Sequence, residues 1–239
     1  MRVVKHQKES AHGSATTNCK MTNLAERFAT WTKCFFAIRG LRPQSSPAEL
    51  VDFCLSQPLA PLQIRSELLA LATEVAALEP RNGMEIGTHR GGTLFLLCRL
   101  AHPAARILSL DLYRGRLGGA RKVIYYSFLK ERQQLHIITG DSHCAPIQST
   151  VKKKLGHAKL DFLFIDGDHS YDGVKHDFEM YSPLVRTGGL IAFHDIVAHP
   201  PEAECHVNEF WVEVKQRYRH KEFIESHHQQ WAGIGLLYV

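Results

Sequence analysis

A chain of 239 residues, 44% of them apolar, is long enough to bury one sizeable core and short for two, so a single α/β domain with an N-terminal extension is expected. The net charge of +5 is modest and, apart from Lys152, Lys153 and Lys154, its basic residues are scattered, which argues against a nucleic-acid partner. Six cysteines, at 19, 34, 54, 98, 144 and 205, form no C-x-x-C pair and so point away from a zinc site or a disulfide framework and toward reduced thiols in a cytoplasmic protein.

Residues 1–22 are polar and lack the apolar stretch of a signal peptide; they are expected to be disordered, with Met21 an alternative start. Residues 23–60 read as an N-terminal helical extension and 61–239 as the main domain. Within the extension, "WTKCFFAIRG" carries Trp31, Phe35, Phe36 and Ile38 at near-helical spacing, which predicts packing onto the domain rather than a membrane foot. From Pro61 to Glu79, Ile64, Leu68, Leu71, Val75 and Leu78 fall on one helical face, and Pro80 ends the run.

Short apolar runs then alternate with helical patterns. "GMEIG" is followed by a helix over 91–101, and "RILSLD" by a loop and a helix near 119–132. "LHIITGD" and "LDFLFIDGD" follow, then a helix from Asp172 whose Val174, Phe178 and Tyr181 share a face, and then "GGLIAFHD". Such alternation predicts a parallel sheet covered on both sides. The chain closes with a helix over 206–218 and two strands, "EFIES" and "WAGIGLLYV", expected as an antiparallel hairpin around "HHQQ". No apolar run reaches the roughly 18 residues of a membrane helix, since "LFLLCRLA" is interrupted by Arg99.

Ligands of an open parallel sheet lie outside the carboxyl ends of its strands. All five of the first strand ends carry an acid: Glu85, Asp111, Asp141, Asp166 and Asp195. Asp111 stands about 20 residues beyond a glycine loop, where a carboxylate accepts from ribose hydroxyls. That loop, "MEIGTHRGGT", has Gly87, then three residues, then Gly91 and Gly92, an order unlike the G-x-G-x-x-G that approaches a pyrophosphate. It suits a cofactor without phosphate, such as S-adenosylmethionine, whose cationic groups match acidic neighbours like Glu85 and Asp166.

These residues resemble the class I S-adenosylmethionine-dependent methyltransferases over about residues 60–239. The stretch "LDFLFIDGDHSYDGVKHDFEMYSPLVRTGGLIAFHDI" is similar to a subgroup containing macrocin O-methyltransferase and proteins named for cephalosporin hydroxylase. The resemblance implies a Rossmann-like three-layer sandwich with a mostly parallel seven-stranded sheet in the order 3-2-1-4-5-7-6, the last strand antiparallel. It implies cofactor contacts at Glu85, Gly87, Thr88, Gly91, Gly92, Thr93, Asp111, Leu112, Asp141, Ser142 and Asp166. It further implies a divalent metal such as Mg²⁺ at Asp166, His194 and Asp195; His194 departs from the oxygen donors usual there, and imidazole suits softer metals.

His169, three residues after Asp166, falls where the resemblance implies a general base, so His169 and Asp166 are the expected catalytic pair. The implied reaction is methylation of a hydroxyl on a small molecule such as a sugar-containing metabolite, with no nucleic-acid or membrane partner and with self-association left open. The absence of an Asn/Asp-Pro-Pro-aromatic motif after the fourth strand argues against methylation of nucleobases. A metal-dependent hydroxylase or hydrolase and a non-catalytic cofactor-binding module remain alternatives. The basic stretch "YRGRLGGARK" places Arg114, Arg116, Arg121 and Lys122 near the site, where a solvated loop competes with recognition of an acidic acceptor.

Overall fold

The computed structural model describes residues 24–42, 44–112 and 118–239. The expected disorder of residues 1–22 and the basic positions Arg114 and Arg116 lie outside the described residues, as does the side chain of Arg121. Seven strands form one sheet: β1 (Asn82–Ile86), β2 (Arg106–Asp111), β3 (Gln134–Thr139), β4 (Leu160–Ile165), β5 (Val185–His194), β6 (Arg219–Phe223) and β7 (Ile234–Tyr238). Their order is β3-β2-β1-β4-β5-β7-β6. The first five are parallel, and β7 enters antiparallel between β5 and β6. This is the mostly parallel Rossmann-like sheet anticipated from the sequence.

Two-residue alternation along the strands divides the core into two layers. On one face, Ile107, Phe162, Phe164 and Ala192 pack with α1 (Leu24–Arg39), α2 (Pro47–Ser56), α3 (Arg65–Leu78), α4 (Gly92–Leu100) and the end of α5 (Gly118–Tyr125). On the other, Met84, Leu108, Leu163, Ile165 and Phe193 pack with α6 (Ala145–Leu155), α7 (Tyr171–Tyr181) and α8 (Val207–Val214). Every hydrophobic strand residue has a covered side, so the central strands read as continuous apolar runs. Among the described residues no helix is long and apolar enough to cross a membrane.

Four elements differ from the sequence expectation, the first being the helix expected near 119–132, which ends at Tyr125 and passes into a 3-10 turn over Tyr126–Phe128. The helix expected from Pro61 begins at Arg65, because Pro61–Ile64 runs as an irregular connector and the apolar face is carried by Leu68, Leu71, Ala72 and Val75. Helix α6 was not expected; its inward face is thin, with Val151 and Leu155 buried and three lysines closing the last turn, so its pattern is mostly that of a solvated surface. The sixth strand is Arg219–Phe223 rather than "EFIES", and residues 224–233 form the connection. In α1, Cys34 and Ile38 are buried while Phe36 points to solvent.

Helix α2 owes its start to a capping box: the Ser46 side chain accepts from the Glu49 N–H, and Glu49 accepts from the Ser46 N–H at 2.8 Å, with Pro47 in the first turn. The helix packs Phe53 against Phe95 of α4, with ring centroids 5.2 Å apart. It thereby covers the start of the central helix.

Two carboxylates are buried in the α1–α5 layer. Glu67 accepts from the Glu225 and Gly233 N–H groups and from the Gln229 amide, at 3.1, 2.9 and 2.7 Å, and so ties α3 to the connection before β7. Glu67→Ala strands the buried Gly233 N–H and is expected to lower unfolding free energy by roughly 1–3 kcal/mol or more, read by urea denaturation at neutral pH.

Glu85 of β1 is also enclosed, but neither carboxylate oxygen finds a hydrogen-bond partner. Burial pushes its pKa up to about 8. Below about pH 4 the group is protonated in folded and unfolded chains alike. As the pH rises from there to about 8, only the unfolded chain releases the proton, so stability falls by about 1.4 kcal/mol per pH unit. Glu85→Gln should remove that contribution. Urea midpoints of wild type and variant should therefore diverge between pH 5 and 7.5, whereas parallel midpoints would mean that Glu85 is ionised in the fold.

Candidate active site

The carboxyl ends of β1 to β5 open into a cleft of about 970 Å³. Its floor is set by the turn after β1. Gly87 has φ +88°, and a Cβ there would stand 1.8 Å from the Asp166 carbonyl oxygen, so the ends of β1 and β4 close to a separation only glycine allows. Gly91, at φ +89°, presses against the Tyr125 ring, whose hydroxyl donates to the His89 carbonyl at 3.1 Å. Gly92 opens α4 beneath the connector, with the Leu59 carbonyl 2.7 Å from where its Cβ would be.

Asp111 fixes the same turn from the neighbouring strand. Its Oδ2 accepts from the Thr88 and His89 N–H groups at 2.8 and 2.9 Å, while Thr88 Oγ1 and Ser109 Oγ share a 2.6 Å hydrogen bond. At the β3 end, Asp141 accepts from the His143 N–H at 2.9 Å. The His143 ring stacks on His176 with centroids 4.7 Å apart and sets Nε2 3.4 Å from buried Asp177.

At the β4 and β5 ends, acids and imidazoles interleave. His194 Nδ1 lies 3.3 Å from Asp166 Oδ1 and 3.2 Å from Asp195 Oδ2. His169 places Nε2 3.6 Å from Asp166 and Nδ1 3.6 Å from Asp195, and His199 Nε2 stands 3.2 Å from the other oxygen of Asp195. Asp195 holds this place with φ +63°, a left-handed conformation that Asp tolerates better than most residues.

The charges of this group reinforce one another. Burial opposes ionisation of Asp166, but the positive charge and hydrogen bonding of His194 and His169 outweigh it and lower its pKa to about 2. Burial likewise opposes protonation of His194, and the two flanking carboxylates overcome it, raising the imidazole to about 10. The Asp166 carboxylate beside His169 lifts that imidazole above its ordinary range. The cluster is therefore built to hold positive charge between two acids.

Most of the residues expected from the sequence meet in the cleft: Gly87, Thr88, Gly92, Thr93, Asp111, Leu112, Asp141, Ser142, Asp166, His169, His194 and Asp195 all line it. Glu85 and Gly91 do not. Glu85 faces a small cavity of about 20 Å³ between β1 and α3, and Gly91 is turned to Tyr125. The cleft also gathers Gln63, His143, His199, Cys205 and Trp231, which the strand-end rule does not reach because they lie in connectors or one turn further on. Lys122 donates to Thr139 Oγ1 at 2.6 Å.

Residues 84–196 match a family model described as a methyltransferase domain. An uncharacterised protein of Sinorhizobium fredii, y4gI, is 26% identical over 169 residues, which are 69% of this chain and 18% of that protein. The chain spans half or less of the length of the curated relatives it matches. Among solved structures, the O-methyltransferase TomG of Streptomyces achromogenes, in complex with S-adenosylmethionine, superposes with a TM-score of 0.58 at 18% identity, covering 90% of this chain and 98% of TomG. MycE methyltransferase of the mycinamycin pathway, solved with Mg and S-adenosylhomocysteine, gives a TM-score of 0.53 at 18% identity, covering 81% of this chain and 54% of MycE. With the sheet order and the glycine turn in place, residues 84–196 are similar to that methyltransferase-domain family, and the chain has the Rossmann-like fold of the solved methyltransferases.

Proposed function

We propose that this protein is an S-adenosylmethionine-dependent O-methyltransferase acting on a hydroxyl of a small molecule. The observation that carries the reading is His169, whose two ring nitrogens each face an acid at the mouth of an otherwise acid-lined cleft. When bound, S-adenosylmethionine supplies a methyl group on a positively charged sulfur, which departs as a neutral thioether. The residues of the cleft fit such a ligand: Asp111, Asp141, Asp166 and Asp168 line it beside Gly87 and Gly92 of the glycine turn.

The work of the chain is to hold and to accept. Asp111 anchors the glycine turn from one side and presents its carboxylate to the ribose end of the cleft. His169, raised in basicity by Asp166, takes the proton that an acceptor hydroxyl loses as its oxygen forms the new bond to carbon. Asp166 and Asp195 stabilise the resulting imidazolium. Alignment of the reacting groups supplies much of the remaining acceleration. Sugar-containing acceptors are proposed on the resemblance of residues 160–196 to the macrocin-type enzymes. The domain division at residue 61 is likewise a proposal, with α1 and α2 forming an N-terminal cover.

A divalent metal also fits. Asp166, His194 and Asp195 each offer a ligand atom within 4.8 Å of one another, and a metal held there would take the place of the proton that the two acids favour on His194 Nδ1. An imidazole in the set favours Mn²⁺, Fe²⁺ or Zn²⁺ over Mg²⁺. A metal held there would acidify an acceptor hydroxyl.

Asp111→Ala is expected to weaken S-adenosylhomocysteine binding at least tenfold by calorimetry. His169→Ala should bind within about threefold of wild type yet release S-adenosylhomocysteine about 10²–10⁴ times more slowly with a panel of hydroxylated acceptors. Unchanged affinity in the Asp111 variant would overturn the cleft assignment, and unchanged turnover in the His169 variant the base. Equilibrium dialysis should find Mn²⁺ retained more tightly than Mg²⁺ and lost in Asp195→Ala; retention by that variant would place the ion elsewhere.

A further inference from the structure

The connector between α2 and α3 carries a side chain that the functions above leave unexplained. Gln63 is 8% exposed and lines the cleft. Its amide nitrogen donates to Asp166 Oδ2 at 2.9 Å. A carboxylate can only accept, so this contact fixes which end of the amide faces Asp166 and turns the carbonyl oxygen the other way. That oxygen, Oε1, is buried and accepts from no group of the protein. A buried acceptor without a donor is costly, and a ligand that brings the donor recovers the cost.

The surroundings narrow the donor. The connector is pinned over the glycine turn: Leu59 is fully buried, and Pro61 Cδ and the Leu59 carbonyl lie 2.6 and 2.7 Å from where a Cβ on Gly92 would be. The connector therefore bridges the start of α4, through Leu59 and Pro61, and the end of β4, through Gln63 and Asp166, and stands away from Asp141 at the β3 end of the sheet. A ligand spanning the cleft from Asp111 to Asp166 would bring its amino-acid portion, not its purine, to this corner.

We propose that Gln63 is a cofactor-recognition residue whose carbonyl oxygen accepts a hydrogen bond from the α-ammonium group of the methyl donor. This rests on the methyl-donor reading of the cleft. It also assigns the N-terminal connector a part in binding: the segment that covers α4 also completes the polar lining.

The test compares S-adenosylhomocysteine with 4-(5′-adenosylthio)butanoate, which lacks only the amino group, on wild type and Gln63→Met by calorimetry, with thermal melts to verify folding and Gln63→Leu as the second apolar variant. Wild type should prefer S-adenosylhomocysteine, and that preference should shrink about tenfold in the variant, the size of a hydrogen bond to a charged donor. An equal loss for both ligands would mean that Gln63 only supports Asp166, and no loss for either would mean that Oε1 meets no part of the cofactor; both overturn the inference. Wild type that binds neither ligand removes the methyl-donor reading and this assignment together. An effect confined to the KM of the acceptor would reassign Gln63 to the acceptor and likewise overturn it.

Discussion

The site depends on how closely two strand ends approach. At Gly87 the backbone of β1 passes so near the Asp166 carbonyl that no side chain fits, and the left-handed turn at that point sends the chain back toward Asp111. The N–H of Asp166 donates to the Ile86 carbonyl, and that of Gly87 to the Leu110 carbonyl, both at 2.9 Å, so three neighbouring strands are joined at their last residues. Carboxylates that would repel one another in a loose loop are thereby held on one rim. Their separation is set by sheet register rather than by side-chain choice.

Within that frame, environment decides what each acid does. Glu85 and Asp166 end adjacent parallel strands and are both withdrawn from water, yet their proton affinities move in opposite directions. Glu85 looks into an apolar layer of leucines where the nearby Thr88 and Thr93 hydroxyls offset only part of the loss of solvent, and its proton affinity rises. Asp166 has two imidazoles and an amide within reach, and it stays charged. The first is a neutral wedge under the glycine turn, and the second a fixed negative charge at the centre of the cleft.

Much of this was legible in the residues. The apolar strand runs, the acids that follow them and the glycine turn are local patterns with local causes, and they located the cleft. What escaped has a physical reason in each case. Glu85 counts as a strand-end acid in a linear reading, but two-residue alternation puts it on the face opposite Met84 and Ile86, away from the opening. Helix α6 has too few apolar positions to show periodicity, since its outer surface is lysine-rich. Gln63 carries no motif at all: its importance comes from a contact 103 residues along the chain, which no local pattern encodes.

The antiparallel strand β7 sits between β5 and β6, so among the described residues β6 pairs with β7 alone and β7 covers the apolar edge of β5. The β6–β7 ribbon pairs both strands and closes that edge together. The edge of β5 bearing Ile191 and Phe193 is thus covered from within the chain, and the Glu67 contact with the Gly233 N–H fastens the connection that leads into the covering strand.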